Sequence, residues 1–155
     1  MPIKNQLKTA VLLASLTGIL LWIGSFWGTN GLTIAIIFAL IMNVGSYWFS
    51  DKIALRIYKA VPANESEHPK LFQMVREVAQ NANIPTPKIY IIPSDITNAF
   101  ATGPTPKKAA VACTKGIIDL LTDDELKGVL AHEIAHIKNR DTLISTVAAT
   151  IAGVI

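Results

Sequence analysis

One cysteine in 155 residues excludes an internal disulfide. Cys113 stands in the apolar run AAVAC with no histidine or basic neighbour to lower its pKa, so it reads as a small buried hydrophobe and not a reactive thiol. Charge is scarce too: Asp, Glu, Lys and Arg make up 16% of the chain, where a soluble domain carries about a quarter. The scarcity is local. From Thr9 to Ser50 there is no Asp, Glu, Lys, Arg or His. From Asp51 onward twelve basic residues (the chain's 14 less Lys4 and Lys8) face all 11 acidic ones, so the net charge of +3 owes most to those two lysines. That is no footprint of nucleic-acid binding. Internal repeats and low-complexity runs are absent as well.

What is present is apolar. Mean hydropathy is +0.42 and 51% of residues are hydrophobic. TAVLLASLTGILLWIGSFW (Thr9–Trp27) and LTIAIIFALIMNVGSYWFS (Leu32–Ser50) are charge-free and about long enough to span a hydrocarbon core as helices. GTNG, Gly28–Gly31, reads as the tight turn between them. The first run is longer than the apolar core of a cleaved leader, and a second run follows at once. Neither has the polar face of a core helix. Trp22, Trp27, Tyr47 and Trp48 lie toward the segment ends, three of the four where an interfacial aromatic belt would place them. Lys4 and Lys8 precede the first segment, Lys52, Arg56 and Lys59 follow the second, and the turn has no basic residue. Both flanks, and the domain after them, are therefore expected on the cytoplasmic side of the cell membrane. DKIALRIYKAV is expected to continue as an interfacial helix.

The remainder predicts a small α+β domain. Pro62–Pro69 reads as a loop. A helix begins at Pro69, with Leu71, Phe72, Val75, Val78, Ala79 and Ala82 on one stripe. His68 reads as a polar residue at its start. Lys88–Ile92 is a strand between prolines, and Asn98–Gly103 and Lys108–Cys113 are two more extended runs, joined by a hairpin connection through GPTP.

TDDEL then opens a helix. Thr122 and Glu125 form a capping box, and Asp123 and Asp124 sit at the positive end of the dipole. Without a proline to at least Ile137, the helix carries VLAHEIAH, which holds two of the chain's three histidines. His132 and His136, four apart, lie about 40° from each other around the axis, so both imidazoles reach one ion. Leu126, Leu130 and Ile137 form the core stripe. Glu133 falls between that stripe and the histidines, placed to take a proton from water at a bound ion. This is the HExxH arrangement, in which two neutral imidazoles bind zinc and the glutamate is the base. At this chain's His and Glu frequencies, chance would produce the pattern in about two of a thousand such sequences.

NAFATG, followed by AAVACTKGIIDLLTDDELKGVLAHEIAHIKNRDTL, after two apolar segments, resembles the heat-shock protein HtpX family of membrane zinc metalloproteases. The resemblance implies a multi-pass, zinc-dependent endopeptidase of the inner membrane, acting in stress response on damaged or misfolded membrane proteins. It implies a zincin-like fold, with the motif helix beside a small sheet. It assigns His132 and His136 as zinc ligands, Glu133 as general base, and Asn98, Ala99 and Phe100 to an edge strand that pairs with an extended substrate. Phe100 reads equally as a core aromatic. The domain organisation that follows is a transmembrane hairpin over 1–50, an incomplete cytoplasmic zinc-metalloprotease domain over 51–142, and the start of a third transmembrane segment over 143–155.

Two departures accompany the resemblance. GPTP (Gly103–Pro106) stands where the family more often has an Arg-containing loop. The family's third zinc ligand is a downstream glutamate, expected beyond Ile155. Asp141, about 180° around a continuing helix from His132, reads as a surface or capping acid. With two ligands, the chain alone is expected to bind zinc weakly and to turn over little. A CaaX-type membrane metallopeptidase is the neighbouring enzymatic reading, against which NAFATG and the short two-segment lead argue. An inactive membrane-anchored binding module is the non-enzymatic one. Protein or peptide substrates and the lipid bilayer are the implied partners, without nucleic acid.

Overall fold

The computed structural model of the chain describes residues 2–141. Leu143–Ile155, expected to open a third span, lies outside them. Two long helices come first, α1 (Pro2–Ser25) and α2 (Gly28–Ile57). The turn between them is Phe26–Trp27, and Gly28–Gly31 is already the first turn of α2. Gly28, at φ +67, takes the backbone turn expected of a glycine, but Gly31 has a different reason for being one. A Cβ there would overlap the carbonyl of Gly24, and a Cβ on Gly24 would come within 2.6 Å of Ala35 Cβ. These small residues let the two backbones meet closely. Further along, Asn43 Nδ2 donates to Thr17 Oγ1 at 2.8 Å, a polar clasp between the helices.

Among the described residues one helical window, Gly28–Gly45, is long and apolar enough to cross a membrane; the apolar stretch of α1, Ala10–Ser25, is shorter. Only 11% of the Gly28–Gly45 window is buried, and Trp22, Phe26, Trp27, Ile34 and Ile41 are more than half exposed.

α2 does not stop at the first charges. It runs through Asp51 to Ile57, across the boundary expected after residue 50, and Leu55 is buried against the sheet. That sheet has four strands in the order β1-β2-β4-β3: β1 (Val61–Pro62), β2 (Lys88–Ile92), β3 (Ala99–Thr102) and β4 (Ala110–Thr114). β2 and β4 pair in parallel, while β1 on β2 and β3 on β4 are antiparallel. All five residues of β4 are buried, as a central strand covered on both faces requires.

One face packs on α3 (Pro69–Asn81), α4 (Lys115–Leu120) and α5 (Asp123–Asn139), around Leu71, Val75, Val111, Leu126, Leu130, Ile134 and Ile137. The other carries Ile92, Ala110 and Ala112 against Leu55. α3, β2, β3, β4 and α5 stand where the sequence predicts them. The two-residue β1 falls at the start of the stretch read as loop. A 3₁₀ turn, Pro106–Lys108, lies in the connection read as a hairpin loop.

Candidate metal centre

α5 is built to hold its middle rigid. Thr122 Oγ1 accepts from the Glu125 N–H, and the Glu125 carboxylate accepts from the Thr122 N–H at 2.9 Å, completing the capping box. Those contacts hold the Glu125 carboxyl below its ordinary range. Leu126, Leu130, Ile134 and Ile137 are buried at helical spacing. His132 and His136, between them in sequence, are thereby turned to the opposite flank, while Glu133 falls between the two sides.

On that flank His132 Nε2 and His136 Nε2 are 3.1 Å apart, with the rings nearly perpendicular. Two nitrogens each bound to one tetrahedral zinc lie about 3.3 Å apart, so the donor pair fits that ion closely. The tautomers fit as well. His136 Nδ1 lies 3.4 Å from Asp141 Oδ2. A proton held on Nδ1 toward that carboxylate leaves the Nε2 lone pair facing His132. Asp141 reaches this place because α5 ends sooner than a straight extrapolation assumes. Arg140 is left-handed at φ 58, and the chain turns back on the last turn of the helix. Asp141 is therefore neither on the far side of α5 nor on the ligand side of His136, but behind its imidazole.

Glu133 is half-buried, and its Oε2 accepts a hydrogen bond from the Ala101 N–H at 3.0 Å. β3 is the edge strand on this side. At its entrance Asn98 donates its N–H to Thr114 Oγ1 and accepts from the Thr114 N–H. The antiparallel alternation then points the peptide groups of Ala99 and Ala101 to the open edge, where Glu133 meets one of them. Asn98 thus pins the strand to β4. Phe100 turns to the other face, its ring centroid 5.0 Å from that of Tyr58, so its side chain is a packing element. Beneath the site Cys113 is fully buried; desolvation, with the Glu133 charge adding to it, pushes its thiol up to about 12. His68 is the residue before α3 and makes no side-chain cap. Among the described residues no third histidine, cysteine or carboxylate joins the pair to complete a metal-binding group.

Sequence reasoning missed the Ala101–Glu133 bond and the Asp141–His136 contact. The first joins residues 32 apart and leaves no local trace. The second depends on a left-handed arginine, where no glycine signals the break.

The chain is matched over residues 65–155, more than half its length, by the model of peptidase family M48. The chain belongs to peptidase family M48. This M48 chain is 52% identical over 152 residues to a protein named Protease HtpX homolog from Syntrophobacter fumaroxidans, and 54% identical over 154 residues to one of the same name from Nostoc punctiforme. The Burkholderia ambifaria relative, also so named, is 53% identical over 152 residues. Each comparison takes in 97% of this chain and 53–54% of the relative, so the chain spans about half the length of the curated relatives it matches. The HtpX resemblance read from the motifs is thus shown. Among solved structures the M48 chain is similar to S. mikatae Ste24p, with a TM-score of 0.56 over 97% of this chain and 36% of that one. At 19% identity that likeness concerns the fold alone.

Proposed function

We propose that this chain forms the membrane hairpin and the first two metal ligands of a zinc metalloendopeptidase that cleaves protein or peptide substrates, membrane proteins in quality control among them. The 3.1 Å approach of His132 and His136, with Glu133 beside an edge strand, carries the reading. Residues 1–50 are the anchoring hairpin, supported by the breadth of exposed apolar surface on α1 and α2, which a soluble monomer does not tolerate. Residues 51–142 are the cytoplasmic portion, on the side favoured by Lys4, Lys8, Lys52, Arg56 and Lys59.

Zinc, when bound, supplies Lewis-acid polarisation of the scissile carbonyl and makes water acidic enough to lose a proton near neutrality. Everything else falls to the chain. His132 and His136 hold the ion through Nε2, and Asp141 keeps the second ring in the tautomer that leaves Nε2 open. Glu133 takes the proton of the attacking water and delivers it to the leaving amine as the C–N bond breaks. β3, pinned at Asn98 and presenting the backbone of Ala99 and Ala101, pairs with an extended peptide through main-chain bonds, which gives broad sequence tolerance. Substrate pairing releases the Ala101 N–H from Glu133 and so hands the carboxylate to the water.

The test joins this chain to the downstream half of the Syntrophobacter relative, in liposomes with zinc, and follows casein cleavage. Glu133→Gln is expected to lower the rate by at least about 10²-fold while zinc stays bound. Undiminished cleavage by the variant would sink the mechanism.

A further inference from the structure

β3 has a direction, and its relation to α2 gives that direction a consequence. After Ile57 the chain turns at Lys59, at φ 52, and enters β1, where Val61 pairs with Ile91 near the end of β2. The C-terminal end of α2 is thereby held at the C-terminal end of β2. Toward the opposite end of the sheet, Val44 and Phe49 of α2 border one cavity with Lys88 of β2, Ala110 of β4 and Pro104 after β3. Leu55 comes between, in one cluster with Ala112, and the Tyr58 ring lies on Phe100. α2 therefore follows the sense of the parallel pair β2 and β4, and β3 runs against it. The strand starts at Ala99, remote from the charge-free run of α2, and ends at Thr102, toward it.

The outward groups of β3 set the sense of a strand added to its edge. Ala101 turns both its N–H and its C=O outward, as the antiparallel alternation of β3 on β4 requires. One residue of an antiparallel newcomer meets both groups, whereas a parallel newcomer divides them between two residues and pairs less stably. The antiparallel ring places a substrate residue opposite Ala101, whose nitrogen is 3.0 Å from Glu133 Oε2. A peptide so paired runs opposite to β3. Its N-terminal end leads toward the charge-free run of α2, and its C-terminal end leads away.

We propose that the substrates of this site are membrane proteins cut in the segment that follows a span, so that the span lies on the N-terminal side of the scissile bond. This polarity rests on the reading of α2 as a membrane span and of β3 as the substrate edge. Leu55 is six residues beyond Phe49, about 9 Å along the helix axis. At about 3.4 Å per extended residue, a few residues carry a following segment from the bilayer to β3 in the pairing sense. A segment that precedes a span runs toward the bilayer, parallel to β3. To pair antiparallel it must pass the site, turn and come back, which takes at least about a dozen residues more. In the hydrolysis, the oxygen of water joins the carbonyl carbon and one of its protons passes through Glu133 to the leaving nitrogen as the C–N bond breaks. The half with the new carboxylate stays in the membrane, and the half with the new amine is released.

The test uses the enzyme completed with the downstream half of the Syntrophobacter relative, in liposomes with zinc. Two substrates share one apolar span and one cleavable segment of casein sequence. The segment follows the span in the first and precedes it in the second, on the side of the sheet in both. A tether of about eight residues joins span and segment. The first is expected to be cut at least about tenfold faster, because a linker that cannot reach leaves an effective concentration near zero. Mass spectrometry should find its new carboxylate on the membrane-bound half and its new amine on the soluble half. Tethers of about thirty residues should bring the two to similar rates. Equal rates with short tethers, or faster cutting of the second, would overturn the proposal. So would a difference undiminished with long tethers, which would trace it to the segment and not to strand polarity. Cleavage of free casein, lost in Glu133→Gln, monitors the peptidase reading separately: without it that reading fails and the polarity with it. Casein cut while neither tethered substrate is cut refutes the polarity alone.

Discussion

Glu133 is held by the strand it is proposed to serve: its Oε2 accepts from the Ala101 N–H. Glutamine keeps an acceptor oxygen there, so Glu133→Gln should leave the fold intact, with a melting midpoint unchanged within about 2 °C, because surface-side substitutions that preserve bonding stay near ±0.5 kcal/mol. Loss of catalysis with an unchanged midpoint separates chemistry from structure. Directly beneath lies the buried Cys113. Its thiol, raised from the ordinary 9.0 to about 12, prefers the neutral form in the fold. The stability Cys113 contributes is therefore intact below pH 9 and drains away as pH rises toward 12. Maleimide labelling of the native chain at pH 8 should be slow and should become fast only on unfolding; rapid labelling of the folded chain would contradict the burial. The type and spacing of His132, Glu133 and His136 were legible in the sequence because a helix fixes which residues are neighbours at four apart. Their partners were not. Ala101 reaches Glu133 through sheet pairing, and Asp141 reaches His136 through one left-handed residue that carries no glycine to announce it.

Elements were legible in proportion to their periodicity. α3 and α5 carry stripes of buried aliphatics and starts marked by proline or by a capping box, and both appear where expected. β1 has two residues, both exposed, and α4 has six, so neither is long enough to show a period. GTNG misled for a physical reason: of its two glycines, one turns the chain and the other admits Gly24 of the facing helix. Thr122→Ala removes the cap of α5 and should cost about 1 kcal/mol, lowering the midpoint by roughly 3 °C in a chain of this size, as differential scanning calorimetry would register. Gly31→Leu forces α1 and α2 apart. A disulfide engineered between Thr17→Cys and Asn43→Cys, which face each other across the helices, should form readily in the parent and poorly with leucine at position 31. Equal cross-linking in both would refute the close approach.

At the scale of the whole molecule, composition divides the chain and α2 joins it. The charge-free run Thr9–Ser50 lies in the two-helix hairpin, yet α2 continues through Asp51 and docks Leu55 on the face of the sheet opposite the histidines. The sheet that carries β3 is thereby tied directly to the apolar helix through Leu55. Zinc titration of the 155-residue chain, with cobalt as the spectroscopic stand-in, decides whether His132 and His136 share one ion. One ion per chain is predicted, bound weakly by two imidazoles, lost in His132→Ala and in His136→Ala, and kept in Glu133→Gln. Binding that survives His132→Ala undiminished would contradict the account.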